Sequence, residues 1–116
     1  MRLDQIPARA ERSAVFARRA KFLDLVFAVD VDAARTLVHV ANGRVRLAAE
    51  GTPAFTLSAA ASAWAEFASV APRPGFQDIS AMIETANAEI AGDLFAFLRN
   101  LFLVKEVLGM AREAGR

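Results

Sequence analysis

Few side chains in this sequence are of a type that does chemistry, and they are scattered. His39 is the only histidine, and no serine, cysteine or acidic group surrounds it. A catalytic triad or a metal site needs several such groups in one place. We therefore expect His39 to be a solvent-facing or edge-of-core residue of a strand.

The acidic candidates also favour structural roles. Asp30 and Asp32 lie two residues apart in a turn too short for a calcium loop, so turn formation and capping are expected. Gly92-Asp93 lacks the glycine run and the lysine of a phosphate loop, and Asp93 is predicted to cap a helix. Cysteine is absent, which excludes thiol catalysis, disulfides and thiolate metal sites. No nucleophile–base pair is visible, so the sequence predicts a protein that is not an enzyme and has no cofactor or metal.

The hydrophobic residues are the more informative feature. They make up 55% of the chain, with nine Phe, one Trp and no Tyr, which exceeds the usual share of about 45–50%. The segment 94–108 reads LFAFLRNLFLVKEVL, and eleven of its fifteen residues are apolar. A surface helix needs only three to four apolar residues per two turns. This helix must therefore be covered by protein, by a partner or by a lipid-like ligand.

Length and charge exclude several classes. A chain of 116 residues is expected to form one domain. Its net charge of +1 gives no concentrated basic footprint, so nucleic-acid binding is not expected. No apolar run approaches the 18 or so residues of a membrane span. The first thirteen residues lack the apolar core of a secretory signal, which favours a cytoplasmic protein.

Periodicity predicts the order of the elements. A helix is expected over 3–20, and strands are expected at 23–29, 35–41, 44–48 and 54–57. Asn42-Gly43 is a strong signal for a hairpin turn.

Helices predominate in the second half of the chain. Ser58 is predicted to cap a helix over 59–70. Asp78 is predicted to cap a short helix that Asn87 closes. A strand at 89–91 then precedes a last helix that runs from Asp93 to Gly109. Strands followed by helices indicate an α+β domain.

This order resembles the sterol carrier protein family, over roughly residues 22–108. The resemblance rests on the hairpin at 40–45, the step from 55–58 towards Trp64, and the segment 88–93 before the last helix. Segments 72–76 and 100–101 also look like the N-terminal module of some bacterial α/β-hydrolases. The resemblance implies a small curved, mainly antiparallel sheet of about five strands, covered on one face by helices.

The resemblance also implies a domain organisation and a site. It divides the chain into an N-terminal helix (1–20), a sterol-carrier-protein-like domain (21–110) and a C-terminal tail (111–116). An apolar tunnel lies between sheet and helices in that family, and no catalytic residue is carried over. The residues expected to line it are Trp64, Phe67, Phe76, Ile79, Met82, Ile83, Phe95, Leu98 and Phe102.

Two functions follow as expectations. The first is non-catalytic binding of a lipid, sterol or fatty-acyl-like ligand, with Arg99 near the tunnel mouth. The second is a structural or interaction module, whose apolar helix docks a second copy to give a homodimer, or docks an α/β-hydrolase-type partner. Composition does not separate them, because an obligate interface is also more hydrophobic than ordinary surface.

Overall fold

The computed structural model describes residues 1–112, and these form one five-stranded sheet with helices packed on it. The predicted C-terminal tail, 111–116, lies outside the described residues from position 113 onward. A short 3-10 helix spans Leu3–Gln5. The other elements are α1 (Ile6–Glu11), α2 (Ala14–Arg19), β1 (Asp24–Val31), β2 (Ala34–Ala41), β3 (Arg44–Ala48), β4 (Phe55–Ala59), α3 (Ala61–Ala68), α4 (Ile79–Glu84), β5 (Glu89–Gly92), α5 (Leu94–Arg99) and α6 (Leu101–Gly109).

The sheet has the strand order β3-β2-β1-β4-β5. β1 and β4 run parallel, and the other neighbours run antiparallel. The hairpin between β2 and β3 turns at Asn42 and Gly43, whose φ angles of 54° and 76° are those of a tight turn. The predicted α+β fold, with a mainly antiparallel sheet of five strands, is therefore confirmed.

The core lies on one face of the sheet. Phe27 and Val29 of β1 are fully buried, as are Val38 and Val40 of β2, so each strand has residues of one face in the core. The small Ala28 between Phe27 and Val29 is buried as well. Helices from both ends of the chain supply the opposite wall of the same core.

The N-terminal segment is part of this core. Ile6 and Phe16 are fully buried, so both helices of this segment are docked on the core. The prediction of a single helix over 3–20 is wrong, because α1 ends before Arg12 and Ser13 starts α2. The hydroxyl of Ser13 accepts a hydrogen bond from the Phe16 amide at 3.1 Å.

The prediction that Ser58 caps α3 is wrong. Ser58 lies inside β4, which pairs with β1 and β5 and continues to Ala59. The N-terminus of α3 is capped from elsewhere, since the Asp32 carboxylate accepts the Ala61 amide at 3.0 Å. A residue distant in sequence thus replaces the local cap, and local sequence carried no signal for it.

The later helices α4 and α5 begin as predicted but end differently. Asp78 and Asp93 accept amide hydrogen bonds at 2.8 and 3.0 Å and cap α4 and α5. Asn87 was expected to adopt the left-handed conformation after α4, but Ala86 adopts it, with φ 61°. The predicted last helix is broken at Asn100, whose side-chain amide donates to the Ala96 carbonyl at 2.9 Å.

Candidate ligand-binding surface

Several of the polar residues considered in the sequence analysis form side-chain contacts between neighbouring strands of the sheet. His39 lies on β2, and its Nε2 is 2.7 Å from an oxygen of Asp24. Asp30 accepts two hydrogen bonds from Arg35 across the hairpin, and this contact raises the pKa of the arginine above its usual range. Within residues 1–112 no group of three acidic or histidine side chains is placed to hold a metal.

The nine residues expected to line a tunnel divide by exposure. Four lie in the core at 0–2% exposure: Trp64, Phe67, Ile79 and Met82. Phe76 and Ile83 are partly buried against that core. Phe95, Leu98 and Phe102 lie on the outside, with exposures of 69%, 56% and 83%. The structure therefore does not bring all nine residues to one cavity.

Aromatic rings occupy the space between the sheet and the helices. The rings of Phe27 and Phe55 stack at 5.3 Å, and Phe97 meets Phe55 edge-on at 5.4 Å. Trp64 contacts Phe67 at 5.8 Å and donates its indole N–H to the Asp30 carbonyl at 3.0 Å. Such contacts are favourable ring geometries. These rings therefore pack between the sheet and the helices, where the sterol carrier resemblance implied a tunnel.

The helical pair α5–α6 has more apolar residues than the core can cover. Its inner side carries Ala96, Phe97, Val104, Val107 and Leu108, all at most 5% exposed. Leu101 and Leu103 are partly buried against the core. The other apolar residues face outward and form a stripe at helical spacing: Leu94, Phe95, Leu98 and Phe102. The protein itself therefore covers only the inner side of this segment, and the outer side is exposed to solvent.

A groove of about 590 Å³ lies beside this stripe, where α2 and the start of β1 meet the junction of α5 and α6. We call it the α6 groove, and it is lined by Arg19, Leu23, Arg99, Asn100, Phe102, Leu103 and Glu106. An ion pair of 3.2 Å between Arg19 and Glu106 joins α2 to α6. The groove therefore combines three apolar side chains with two guanidinium groups, the Asn100 amide and the Glu106 carboxylate.

Sequence reasoning found Phe102 and Arg99 but missed other walls of this groove. Leu23 and Leu103 were predicted only as parts of a strand and a helix, and Arg19 only as part of the N-terminal helix. They meet because the residue before β1 lies beside α6 in the fold, although 80 positions separate Leu23 from Leu103 in sequence. Periodicity within one element carries no signal for such a contact.

A second groove, of about 610 Å³, lies near the start of α3 and is lined partly by Asp32, Ser58, Asn87 and Glu89. Phe76 reaches this groove, but most of the other walls are polar side chains or alanines. It is less suited to an apolar ligand than the α6 groove, because ligand sites are mostly apolar with few polar groups.

Comparison with known proteins identifies the fold. No sequence-family model and no curated protein matches this chain. Solved structures do match, and one of sterol carrier protein 2 superposes with a TM-score of 0.69 at 16% identity, over 96% of this chain and 93% of the other. The chain therefore has the sterol carrier protein 2 fold, which confirms the resemblance at the level of the fold.

Two further structures are similar to this chain. The ubiquinone synthesis protein UbiJ-SCP2 matches with a TM-score of 0.62 at 20% identity, over 90% of both chains. The sec-alkylsulfatase Pisa1 from Pseudomonas sp. matches 84% of this chain with a TM-score of 0.54 at 14% identity. The match covers only 14% of the sulfatase, so the same fold also occurs as a small part of a large enzyme.

None of the helices within residues 1–112 combines the length and hydrophobicity required to cross a bilayer.

Proposed function

We propose that this protein binds a lipid, sterol or fatty-acyl-like ligand without catalysis, and that the apolar part of the ligand lies in the α6 groove. The observation that carries the proposal is the meeting of Leu23, Phe102 and Leu103 with Arg19 and Arg99 in one groove. Its volume of about 590 Å³ falls within the range of about 300–1,000 Å³ typical of ligand sites.

Burial of an acyl chain supplies the driving force, at about 0.8 kcal/mol per methylene removed from water. Arg99 supplies the selectivity for a negatively charged end. Its guanidinium lies 5.2 Å from the centre of the Phe95 ring and pairs with no carboxylate among residues 1–112. A charge-assisted hydrogen bond to a carboxylate is stronger than a neutral one. Among the candidate ligands, this favours a fatty acid over a neutral sterol.

The predicted tunnel residues have different roles in this proposal. Phe102 forms part of the groove, and Phe95 and Leu98 extend its apolar surface along α5. Trp64, Phe67, Ile79 and Met82 form the packed layer beneath, while Phe76 and Ile83 lie at its edge. A ligand that entered the interior would have to displace buried rings, whereas one in the groove displaces only water.

The alternative proposal is an interaction module, in which the exposed stripe is covered by a second copy or by an enzyme partner. Its support is the exposure of large apolar residues on α5 and α6, together with the likeness to part of an alkylsulfatase. Light scattering over a range of concentrations tests it. A mass that doubles, in protein that takes up no lipid, would favour this alternative over the groove.

Native mass spectrometry of the protein purified from its own host tests ligand binding most simply. We expect a mass excess that organic extraction removes and that added palmitate restores at one molecule per chain. A clean apo mass that palmitate leaves unchanged would contradict the proposal.

The role of Arg99 is tested by changing the ligand and the protein together. Arg99→Ala should weaken palmitate binding by roughly tenfold, as expected for loss of one charge-assisted contact, and should leave hexadecanol binding unchanged. Arg46→Ala, on the exposed side of β3, is the matched control and should alter neither affinity. Equal losses for palmitate and hexadecanol in Arg99→Ala would show that the guanidinium does not select the charged end.

A further inference from the structure

Strand β3 lies at an edge of the sheet, so one side of its backbone is unpaired. It pairs only with β2. The two-residue turn after β2 makes its flanking residues, Ala41 and Arg44, a hydrogen-bonded pair. Because bonded and non-bonded pairs alternate along an antiparallel ladder, Val45 and Leu47 turn their N–H and C=O groups away from β2. Within residues 1–112 these groups have no other backbone partner.

A groove lies at this edge, between α1 and β3. We call it the edge groove. Its volume is about 390 Å³, and its walls include Pro7 and Glu11 of α1 and Arg44, Val45 and Arg46 of β3. This volume falls within the range of about 300–1,000 Å³ typical of ligand sites. The unpaired backbone of Val45 therefore borders a groove rather than a flat surface.

The charged side chains of the edge groove specify what could occupy it. Arg44 and Arg46 lie two residues apart on the outer face of β3, beside the vacant strand position. Arg46 forms no ion pair within residues 1–112, and Arg44 has only a 4.0 Å contact with Glu11, between two exposed side chains. Exposed pairs of this kind contribute little to stability. We propose that an extended segment of a partner protein, with acidic and apolar residues in alternation, adds to β3 as a sixth strand.

The alternation follows from the two faces of the sheet. An added strand places the residues opposite Arg44 and Arg46 on the outer face, where acidic side chains would attract the guanidinium groups. The residues opposite Val45 and Leu47 lie on the inner side, towards α1. Leu47 is partly exposed there, and Pro7 forms the opposite wall, so apolar side chains fit. Main-chain hydrogen bonds then supply affinity, and the alternate side chains supply specificity.

The carboxylates near this edge do not neutralise both arginines. Glu11 is the only carboxylate among the walls of the edge groove that the structure describes. Asp24 lies on the same face of the sheet but two strands away from Arg44, and it contacts His39 at 2.7 Å. The vacant strand position beside Arg46 therefore favours an acidic side chain.

A second copy of this chain fits the edge less well. Two-fold pairing of β3 with its own equivalent would bring arginine next to arginine, which is unfavourable. The other edge strand, β5, offers Glu89, but the next carboxylate, that of Asp93, caps α5. Pairing of β3 with β5 of the next copy would also continue without closure and form fibres. The proposal does not depend on ligand binding, because the edge groove and the α6 groove share no residue.

A synthetic peptide of sequence EVEVEVE, labelled with fluorescein, is the probe. Fluorescence anisotropy should show saturable binding of one peptide per chain, weakened by added salt because salt screens the charge pairs. The charge-reversed peptide KVKVKVK is the matched control and should not bind. Absence of EVEVEVE binding, or equal binding of the two peptides, would overturn the proposal.

N-methylation of the peptide tests the main-chain contact without altering the protein. The valine amides of EVEVEVE would face β3, whereas the glutamate amides would face away from it. Methylation of the valine amides should therefore weaken binding by roughly tenfold or more, because several hydrogen bonds are lost together. Methylation of the glutamate amides should leave most of the affinity. Equal losses from the two modifications would contradict strand addition.

Charge variants locate the peptide on the protein. Arg46→Ala should weaken EVEVEVE binding several-fold, and Glu11→Gln should strengthen it, since the second change removes a like charge from the edge groove. Arg99→Ala, which removes the same charge as Arg46→Ala from α5, is the matched control and should bind the peptide as the wild-type protein does. Equal losses in Arg46→Ala and Arg99→Ala would indicate attraction by net charge alone and overturn the docking site.

The same two arginine variants separate this proposal from ligand binding. Arg99→Ala should lose palmitate affinity and retain the peptide, whereas Arg46→Ala should lose peptide affinity and retain palmitate. Palmitate uptake without peptide binding would refute the edge groove alone, and peptide binding without palmitate uptake would refute the α6 groove alone.

Hydrogen exchange followed by NMR identifies the strand that the peptide joins. The amides of Val45 and Leu47 should exchange more slowly when EVEVEVE is bound, because they then donate to it. The amides of Arg44 and Arg46 already pair with β2 and should change little. Protection of Ile90 on β5 instead, or a mass that grows with protein concentration in the absence of peptide, would overturn the assignment of a separate acidic segment to β3.

Discussion

Two aromatic regions of this molecule have similar residues and opposite environments. In the layer between sheet and helices, Phe27, Phe55 and Trp64 are at most 1% exposed; Phe27 stacks on Phe55, and Trp64 contacts Phe67. On the outer side of α5–α6, Phe95 and Phe102 are 69% and 83% exposed. The first region holds the fold together. The second contributes little to it and is therefore available for binding.

The contrast arises from the position of each residue around its helix. Phe97 points to the sheet and meets Phe55, whereas Phe95, two residues earlier, points away. Residues two apart on a helix do not share a face. Since α5–α6 carries apolar residues on both sides, its inner side is enough for the core. The outer side has no structural explanation within residues 1–112.

Removal of one aromatic ring from each region should give the largest difference in the free energy of unfolding. Phe55→Ala should lower the free energy of unfolding by about 3–5 kcal/mol, because it opens a cavity beneath two other rings. Phe102→Ala should change it by less than about 0.5 kcal/mol, as is usual for an exposed position. Urea unfolding followed by circular dichroism measures both. Comparable losses in the two variants would mean that Phe102 is part of the core after all.

A substitution in β5, the strand that leads into α5, should have a smaller effect on stability. Gly92 has φ +102°, and a Cβ there would lie 2.8 Å from the Ala54 carbonyl oxygen. Gly92→Ala should therefore destabilise the fold by about 1–3 kcal/mol through backbone strain and the clash. Gly109→Ala is the matched control, because it lies in α6 with nothing within 4 Å, and it should stabilise by up to about 1 kcal/mol. Thermal unfolding of the pair would refute the argument if both substitutions shifted the midpoint in the same direction.

The cap of α5 should give the smallest effect. Asp93 accepts the Ala96 amide at 3.0 Å, and Asp93→Ala should cost about 1 kcal/mol. Asp93→Asn keeps a side-chain acceptor and should remain within a few tenths of a kcal/mol of the wild-type protein. Urea midpoints distinguish the two. An equal loss in both would indicate that the carboxylate acts through its charge rather than as a hydrogen-bond acceptor.

Local signals predicted much of the fold. The turn at Asn42-Gly43 and the caps Asp78 and Asp93 depend on chemistry within a few residues, and all three were found. The prediction for Ser58 was wrong because the carboxylate of Asp32, distant in sequence, caps α3 instead. Local interpretation thus failed where a residue distant in sequence supplies the group that local sequence was expected to supply.

The candidate site was less predictable than the fold. The apolar excess of segment 94–108 was visible in the sequence, but not which residues of it face outward. Burial of Phe97 and exposure of Phe95 follow from how α5 packs on β4, and composition does not contain that information. The resemblance to sterol carrier proteins predicted the fold, but the placement of the Phe27, Phe55 and Phe97 rings between sheet and helices depends on tertiary packing.

Palmitate affinity in Phe102→Asp tests the central claim, that the outer side of α5–α6 is the binding surface. Titration should show one palmitate bound per wild-type chain, and Phe102→Asp should weaken it by roughly tenfold or more while the fold remains intact. Val70→Asp, which places the same charge on another exposed apolar position, should bind as the wild-type protein does. Unchanged affinity in Phe102→Asp would contradict the account, because the ligand would then lie elsewhere.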